Sequence, residues 1–286
     1  MPELPEVETT RRYLAAHLPG ARVAAVALHD PRVLERPDPA TFAAQLAGAT
    51  ITEVRRRGKY LILDLAPAPP PAPAAAGPAP ATRHLVVHRR MTGNLFLREP
   101  GAPPDAHTVA VLSLADGREL RLCDLRRLAR LWLADAAELA ALDRALGPEP
   151  LTPAFTPERL AASLTRRRAR LKALLLDQRL VAGLGNIYAD EALFAASLHP
   201  ARLAHTLTAE DIARLHTAIR TVLEQGIHNE GTSFRDYRGA VGQPGRNQLL
   251  VAVFRRTGQP CPRCGTPIVK TRVGGRGTHY CPQCQR

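Results

Sequence analysis

Apolar positions fall into three regimes along the chain. Val7, Leu14 and Leu18 recur near helical spacing and the run stops at Pro19-Gly20, which predicts a helix over residues 6–18. From residue 23 the pattern changes to short alternating or apolar runs. These predict strands over 23–28, 51–57, 60–65, 85–88, 94–97, 109–114, 119–122 and 129–133. A short helix over 41–47, ended by Gly48, interrupts them. Asp116-Gly117 between two alternating runs signals a hairpin. The first domain, residues 1–134, therefore reads as a β-sandwich or flattened barrel preceded by a helix.

The third regime is helical. Segments over 135–146, 157–164, 168–176, 187–197 and 209–224 have helical periodicity, separated by breakers such as Gly147-Pro148. Thr156-Pro157 reads as an N-cap followed by proline at the first helical position. Thr208 with Asp211 reads as a capping box. Residues 135–250 thus form an all-helical domain, and 251–286 carry four of the five cysteines. The class is α+β with several domains. Residues 66–82 alternate proline with alanine, which predicts an extended, mobile loop between two strands, without chemistry of its own.

Charge narrows the partners. The formal net charge is +13 over 286 residues. Such a balance points to a polyanion, most simply nucleic acid. Arginine clusters at 55–57, 126–127 and 166–168 suggest a phosphate-tracking groove, although any one of them is ordinarily a solvated face. No signal peptide and no apolar run of membrane-spanning length is visible, so the expected location is the cytoplasm or nucleoid.

Cys261-x-x-Cys264 and Cys281-x-x-Cys284, with sixteen residues between the pairs, have the spacing of a four-cysteine zinc site. Four thiolates leave no open coordination position, so one zinc ion would be structural. Cys123 stands alone and reads as a strand residue rather than a reactive thiol. Between the cysteine pairs, Gly274-Gly275-Arg276-Gly277 forms a glycine-rich tip suited to bringing a guanidinium close to phosphate.

Four other stretches admit two readings each. Pro2 either starts a helix or, once Met1 is removed, is a secondary amine free to attack a carbonyl-like carbon, with Glu3 and Glu6 beside it. Lys59 after Gly58 is either a solvated hairpin residue or an acid–base amine. Met91, in the turn His88-Arg89-Arg90-Met91-Thr92-Gly93, is either core filler or a wedge for a base stack. Gly183-Leu184-Gly185-Asn186 lacks the strand context of a dinucleotide fingerprint. It reads as a helix–turn–helix junction whose amides and Asn186 face an anion.

Taken in order, the run Pro2-Glu3-Leu4-Pro5-Glu6-Val7-Glu8-Thr9, the stretch from Asp177-Gln178 to Phe194 and the cysteine hairpin resemble the formamidopyrimidine-DNA glycosylases, which are related to endonuclease VIII. The resemblance covers the chain apart from the proline-rich loop. It implies a helix-two-turn-helix element in the helical domain and a zinc-finger hairpin. It also implies a bifunctional glycosylase and AP lyase that excises oxidised purines from double-stranded DNA, through a Schiff base at Pro2 followed by β,δ-elimination. Glu3 would move protons, Glu6 support the site, Lys59 donate a proton and Arg276 grip phosphates. Asn186 would bind phosphate, His88, His107, Arg126 and Lys172 would contact the DNA backbone or hold the site, and Met91 and Arg126 would fill the duplex gap. Where the family has phenylalanine as a third gap-filler, this chain has Leu128, which stacks less well. The expected form is a monomer. The sequence leaves two rivals: an endonuclease VIII-like enzyme for oxidised pyrimidines, disfavoured by residues 231–237 and by Leu4-Pro5, and a non-catalytic binder of damaged DNA.

Overall fold

The computed structural model describes residues 2–68 and 83–286; most of the proline-rich stretch, 69–82, lies outside the described residues. The chain divides into two compact units. The first comprises Pro2, Glu6–Arg144 and Thr232–Gly245, and the second Glu3–Pro5, Ala145–Gly231 and Arg246–Arg286.

The first unit contains two sheets. Its elements are most of helix α1 (Leu4–His17), strand β1 (Val23–Leu28), β2 (Leu34–Arg36), helix α2 (Pro39–Leu46), and strands β3 (Thr50–Arg57), β4 (Tyr60–Ala66), β5 (Arg83–His88), β6 (Gly93–Arg98), β7 (Thr108–Leu114), β8 (Glu119–Asp124) and β9 (Arg130–Ala134). Helix α3 (Ala136–Ala145) follows. One sheet has the order β1-β7-β8-β6 and the other β2-β9-β5-β4-β3. All pairs are antiparallel except β2 with β9. The inner faces supply one core: Val23, Leu95, Leu112 and Leu122 from the first sheet, and Ile51, Leu63, Leu85 and Leu131 from the second. Leu14 of α1, Leu18 just after it, and Phe42 and Leu46 of α2 join it. The five-stranded sheet is covered on its other face too. Ile62, Val86 and Trp132 pack there against Leu139 and Leu142 of α3. That is why β4 and β5 read as near-continuous apolar runs rather than alternations. Cys123 lies in strand β8, as its sequence context suggests, and is buried there.

Several boundaries depart from expectation, among them α1, which starts at Leu4 rather than at residue 6. Strand β2 is only three residues long and shows no alternation to read. Helix α2 starts at Pro39, not Thr41, because Asp38 caps it by accepting from the amides of Ala40 and Thr41.

The second unit carries α4 (Pro157–Leu164), α5 (Leu171–Leu175), α6 (Asn186–Ala195), α7 (Ala209–His228) and the hairpin β10 (Val269–Val273)–β11 (Arg276–Tyr280). Thr156 caps α4, and the capping box at Thr208 and Asp211 starts α7. Helix α6 is buried on all sides from Ile187 to Phe194, so it is the hub of this unit. Phe194, Val253 and Ile268 surround Cys261 and Cys281 in a small separate core.

Candidate functional site

In the first unit, three turns are drawn together by one residue, Asp124, two through its carboxylate and one through its backbone amide. Asp124, 1% exposed, accepts from the amides of Arg126 (3.1 Å), Leu128 (2.7 Å) and Ala129 (2.6 Å). Its other partner is the hydroxyl of Thr92, next to Met91. Its own amide donates to the carbonyl of His107 at 2.9 Å. The turns carrying Met91, His107 and Arg126 are therefore held by a single buried residue. Each also contains a non-glycine residue in the left-handed region: Arg90 (φ 50°), His107 (φ 58°) and Arg127 (φ 54°). Strained backbone of this kind persists only where surrounding contacts over-determine it, and it concentrates at functional sites.

These turns display apolar side chains to solvent. Met91 is 39% exposed and Leu125 57%, whereas Leu128 is half-buried. Arg126 and His107 are exposed. Lys59 sits in the two-residue turn between β3 and β4 and is buried, 7% exposed. His88, at the end of β5, lies against Tyr60 and is also buried. Burial, with smaller contributions from the charges of Arg90 and Lys59, pushes the His88 imidazole down to about 3, so it is neutral at physiological pH. Pro2 is buried, and the Glu6 carboxylate accepts from the Thr232 amide at 2.7 Å.

The first arginine cluster is a correction to the sequence reading. Arg55 forms a bidentate pair with Asp64, Arg56 pairs with Glu8 and Arg57 with Asp143. These guanidiniums are bound to carboxylates of the same unit and do not form a free phosphate track.

In the second unit, Glu3 is 2% exposed and caps the start of α6, accepting from the amides of Ile187 (2.9 Å) and Tyr188 (3.4 Å). Gly185, the N-cap position, offers no side chain to do this. The positive end of the helix thus steadies a carboxylate from the other end of the sequence. The Lys172 ammonium is fully enclosed. It pairs with Asp190 at 2.6 Å and donates to Gly277 O and Thr278 Oγ1, each at 2.9 Å. Burial lowers its proton affinity, and the Asp190 carboxylate opposes that shift. Asn186 also donates to Gly277 O, at 3.1 Å. Asp190 accepts from the His279 amide at 2.9 Å. Lys172, Asn186 and Asp190 together fasten the hairpin whose exposed tip carries Arg276. Lys172 therefore touches the hairpin backbone directly, not solvent.

The four cysteines converge. Their sulfurs lie within 4.8 Å of one another, with Cys261–Cys284 at 3.9 Å and Cys264–Cys281 at 3.5 Å. Tetrahedral zinc with bonds of about 2.3 Å requires edges close to these values. The amides of Arg263 and Cys284 point at the sulfurs of Cys261 and Cys281, each at 3.4 Å, as N–H donors do around thiolate ligands. The residues fit one structural zinc.

Sequence reasoning missed Asp124, Leu125 and Asp190. An aspartate at a strand end or inside a helix carries no motif. Only a leucine directly before an arginine pair, Leu125, offers a sequence signal.

Protein-family models match the chain in three consecutive parts: the formamidopyrimidine-DNA glycosylase N-terminal domain over residues 1–131, its H2TH domain over 146–238, and the zinc finger found in FPG and IleRS over 258–286. The chain belongs to the formamidopyrimidine-DNA glycosylase family. It is 46% identical over 288 residues to the enzyme of that name from Pelotomaculum thermopropionicum, covering 100% of this chain and 99% of the relative. It is 52% identical over 274 residues to the Moorella thermoacetica protein, covering 95% of each. Among solved structures it resembles Lactococcus lactis Fpg in complex with abasic-site DNA, with a TM-score of 0.87, 34% identity and 99% of both chains covered. It also resembles the MutM (FPG) protein of Thermus thermophilus, with a TM-score of 0.84, 42% identity and 99% and 98% coverage. Among the described residues no helix is long and apolar enough to cross a membrane.

Proposed function

We propose that this protein is a DNA glycosylase and AP lyase that excises oxidised purines, 8-oxoguanine and formamidopyrimidines, from double-stranded DNA. The observation that carries this reading is the intact Pro2-Glu3 pair at the head of a chain 52% identical over 274 residues to a formamidopyrimidine-DNA glycosylase.

The chemistry follows from a secondary amine. With Met1 removed, the Pro2 nitrogen attacks C1′ of an extruded nucleotide; the glycosidic bond breaks and the base leaves with a proton. The sugar ring opens to an iminium joining C1′ to Pro2. That cation acidifies C2′. Loss of a C2′ proton expels the 3′ phosphate, and a second elimination expels the 5′ phosphate. Glu3 shuttles protons at the sugar, and Lys59 donates one near the lesion. Glu6 acts at a distance by fixing the Thr232 amide. Arg276 binds the phosphates flanking the extruded nucleotide, supported by Lys172 and Asn186 through the Gly277 carbonyl. Met91, Arg126 and Leu128 fill the gap, the exposed His107 contacts the DNA backbone, and the buried His88 holds the site in shape. Zinc holds the hairpin in shape.

The sequence divisions 1–134, 135–250 and 251–286 serve as functional segments, with 135–144 and 232–245 packed in the first compact unit, and the enzyme acts as a monomer. The charge of +13 and the DNA substrate support a location with the bacterial nucleoid. Excision assays on duplexes containing 8-oxoguanine opposite cytosine, against thymine glycol duplexes, test the substrate. Preferential release of 8-oxoguanine is expected; preferential release of thymine glycol would overturn it.

A further inference from the structure

Arg89 is among the largest fully enclosed side chains of the first unit, at 1% exposure. It forms no direct ion pair among the described residues; its hydrogen-bond acceptors are neutral, and the Glu6 carboxylate favours its charge through space. Nε donates to Gly93 O at 2.9 Å. Nη1 donates to Thr10 Oγ1 at 2.8 Å and to Glu6 O at 3.4 Å. Nη2 donates to Asn94 Oδ1 at 2.9 Å and to Arg238 O at 3.2 Å. The five N–H donors of a guanidinium are thereby all used. Its face lies over the Tyr237 ring, 5.2 Å from the centroid.

These partners belong to three pieces of chain. Glu6 and Thr10 lie on α1, Gly93 and Asn94 at the start of β6, and Tyr237 and Arg238 on the returning segment Thr232–Gly245. Asn94 reinforces the same junction, accepting from Arg238 N and donating to Asp236 O, each at 2.9 Å. Enclosing the guanidinium is costly, and the Glu6 charge opposes that cost without a direct ion pair. A leucine or methionine would fill this volume without that cost but would leave the three pieces untied.

We propose that Arg89 is a positioning residue for base selection: it locks the segment Thr232–Gly245 to α1 and β6. This rests on the purine reading above, in which residues 231–237 mark the purine-specific branch. Base release would then depend on Arg89, whereas strand cleavage at a site already lacking its base would not.

The test uses full-length, zinc-loaded Arg89→Met and Arg89→Lys, and Asn94→Ala as a second route to the junction should Arg89→Met not fold. Single-turnover excision of 8-oxoguanine opposite cytosine is compared with cleavage of a preformed abasic site. The expected result is a loss of about tenfold or more in excision for Arg89→Met and Asn94→Ala, with abasic-site cleavage within about threefold of wild type. Arg89→Lys, with three donors, recovers part of the loss. Equal losses in both reactions, or no loss in either, would overturn the assignment of Arg89. Wild-type protein that cleaves abasic DNA but releases no 8-oxoguanine would instead overturn the purine reading, and the selectivity claim with it.

Discussion

Glu3 occupies the space where Gly185 would carry a side chain: a Cβ built on Gly185 would lie 2.3 Å from the Glu3 Cδ. The glycine is therefore what admits the carboxylate to the amides at the start of α6. Gly185→Ala should push Glu3 off the helix end. Single-turnover base excision should fall by about tenfold or more, since displacements near 1 Å at a reacting centre have that effect. Zinc content should not change. Excision at the wild-type rate would show that Glu3 does not need this seat.

The turn network makes a prediction about stability. Asp124→Ala leaves three amides and the Thr92 hydroxyl without their acceptor in a buried setting. A cost of about 2–4 kcal/mol in unfolding free energy is expected. Denaturant titration of the variant against wild type measures it. The Met91 and Arg126 turns should loosen together, so opposite-strand base fluorescence in a lesion duplex should show weaker wedging.

Lys172 and Asp190 form a fully buried pair, each side chain 0% exposed. Removing one partner strands the other, so Asp190→Ala should destabilise the protein by about 3–5 kcal/mol. Because the same lysine holds Gly277 and Thr278, affinity for abasic-site DNA should fall as well. Binding assays by fluorescence anisotropy would detect this; unchanged affinity would detach Lys172 from the hairpin's function.

Much of this arrangement is legible in the sequence, and the limits have a physical origin. The strands of the sandwich, both N-caps at Thr156 and Thr208, and the cysteine site depend on neighbours close in sequence or on fixed spacing. The arginine cluster at 55–57 does not. Its partners Asp64, Glu8 and Asp143 lie 9, 48 and 86 residues away, so charge runs that look free are neutralised only by the fold. Arg89 and Asp124 are similar: each is an ordinary polar residue in a turn or strand end until distant backbone groups close around it. The seat of Glu3 on α6, 184 residues from its amide partner, is equally invisible without the fold.

His88 gives a pH signature. Its folded-state pKa of about 3 lies below the ordinary 6.5. Between those values the unfolded chain binds the extra proton and the folded chain does not. Stability from this group is therefore intact above about pH 6.5 and falls as the solution is acidified, by about 2 kcal/mol at pH 5. A His88→Gln variant should show a flatter stability profile between pH 6.5 and 5 than wild type. Parallel profiles would contradict it.

Cys281→Ala should lose zinc and weaken binding to damaged DNA, because the metal clamps the hairpin that bears Arg276. Metal content by atomic absorption and affinity by gel shift measure both. Wild-type values for either would contradict the role given to the hairpin.

The central claim concerns one nitrogen atom. Borohydride reduction of the protein on abasic-site DNA, followed by nuclease and trypsin digestion and mass spectrometry, locates the covalent link. A deoxyribose remnant on the peptide of residues 2–11, attached at Pro2 with Met1 gone, is predicted. A remnant on Lys59, no adduct, or a peptide that still begins with Met1 would contradict it.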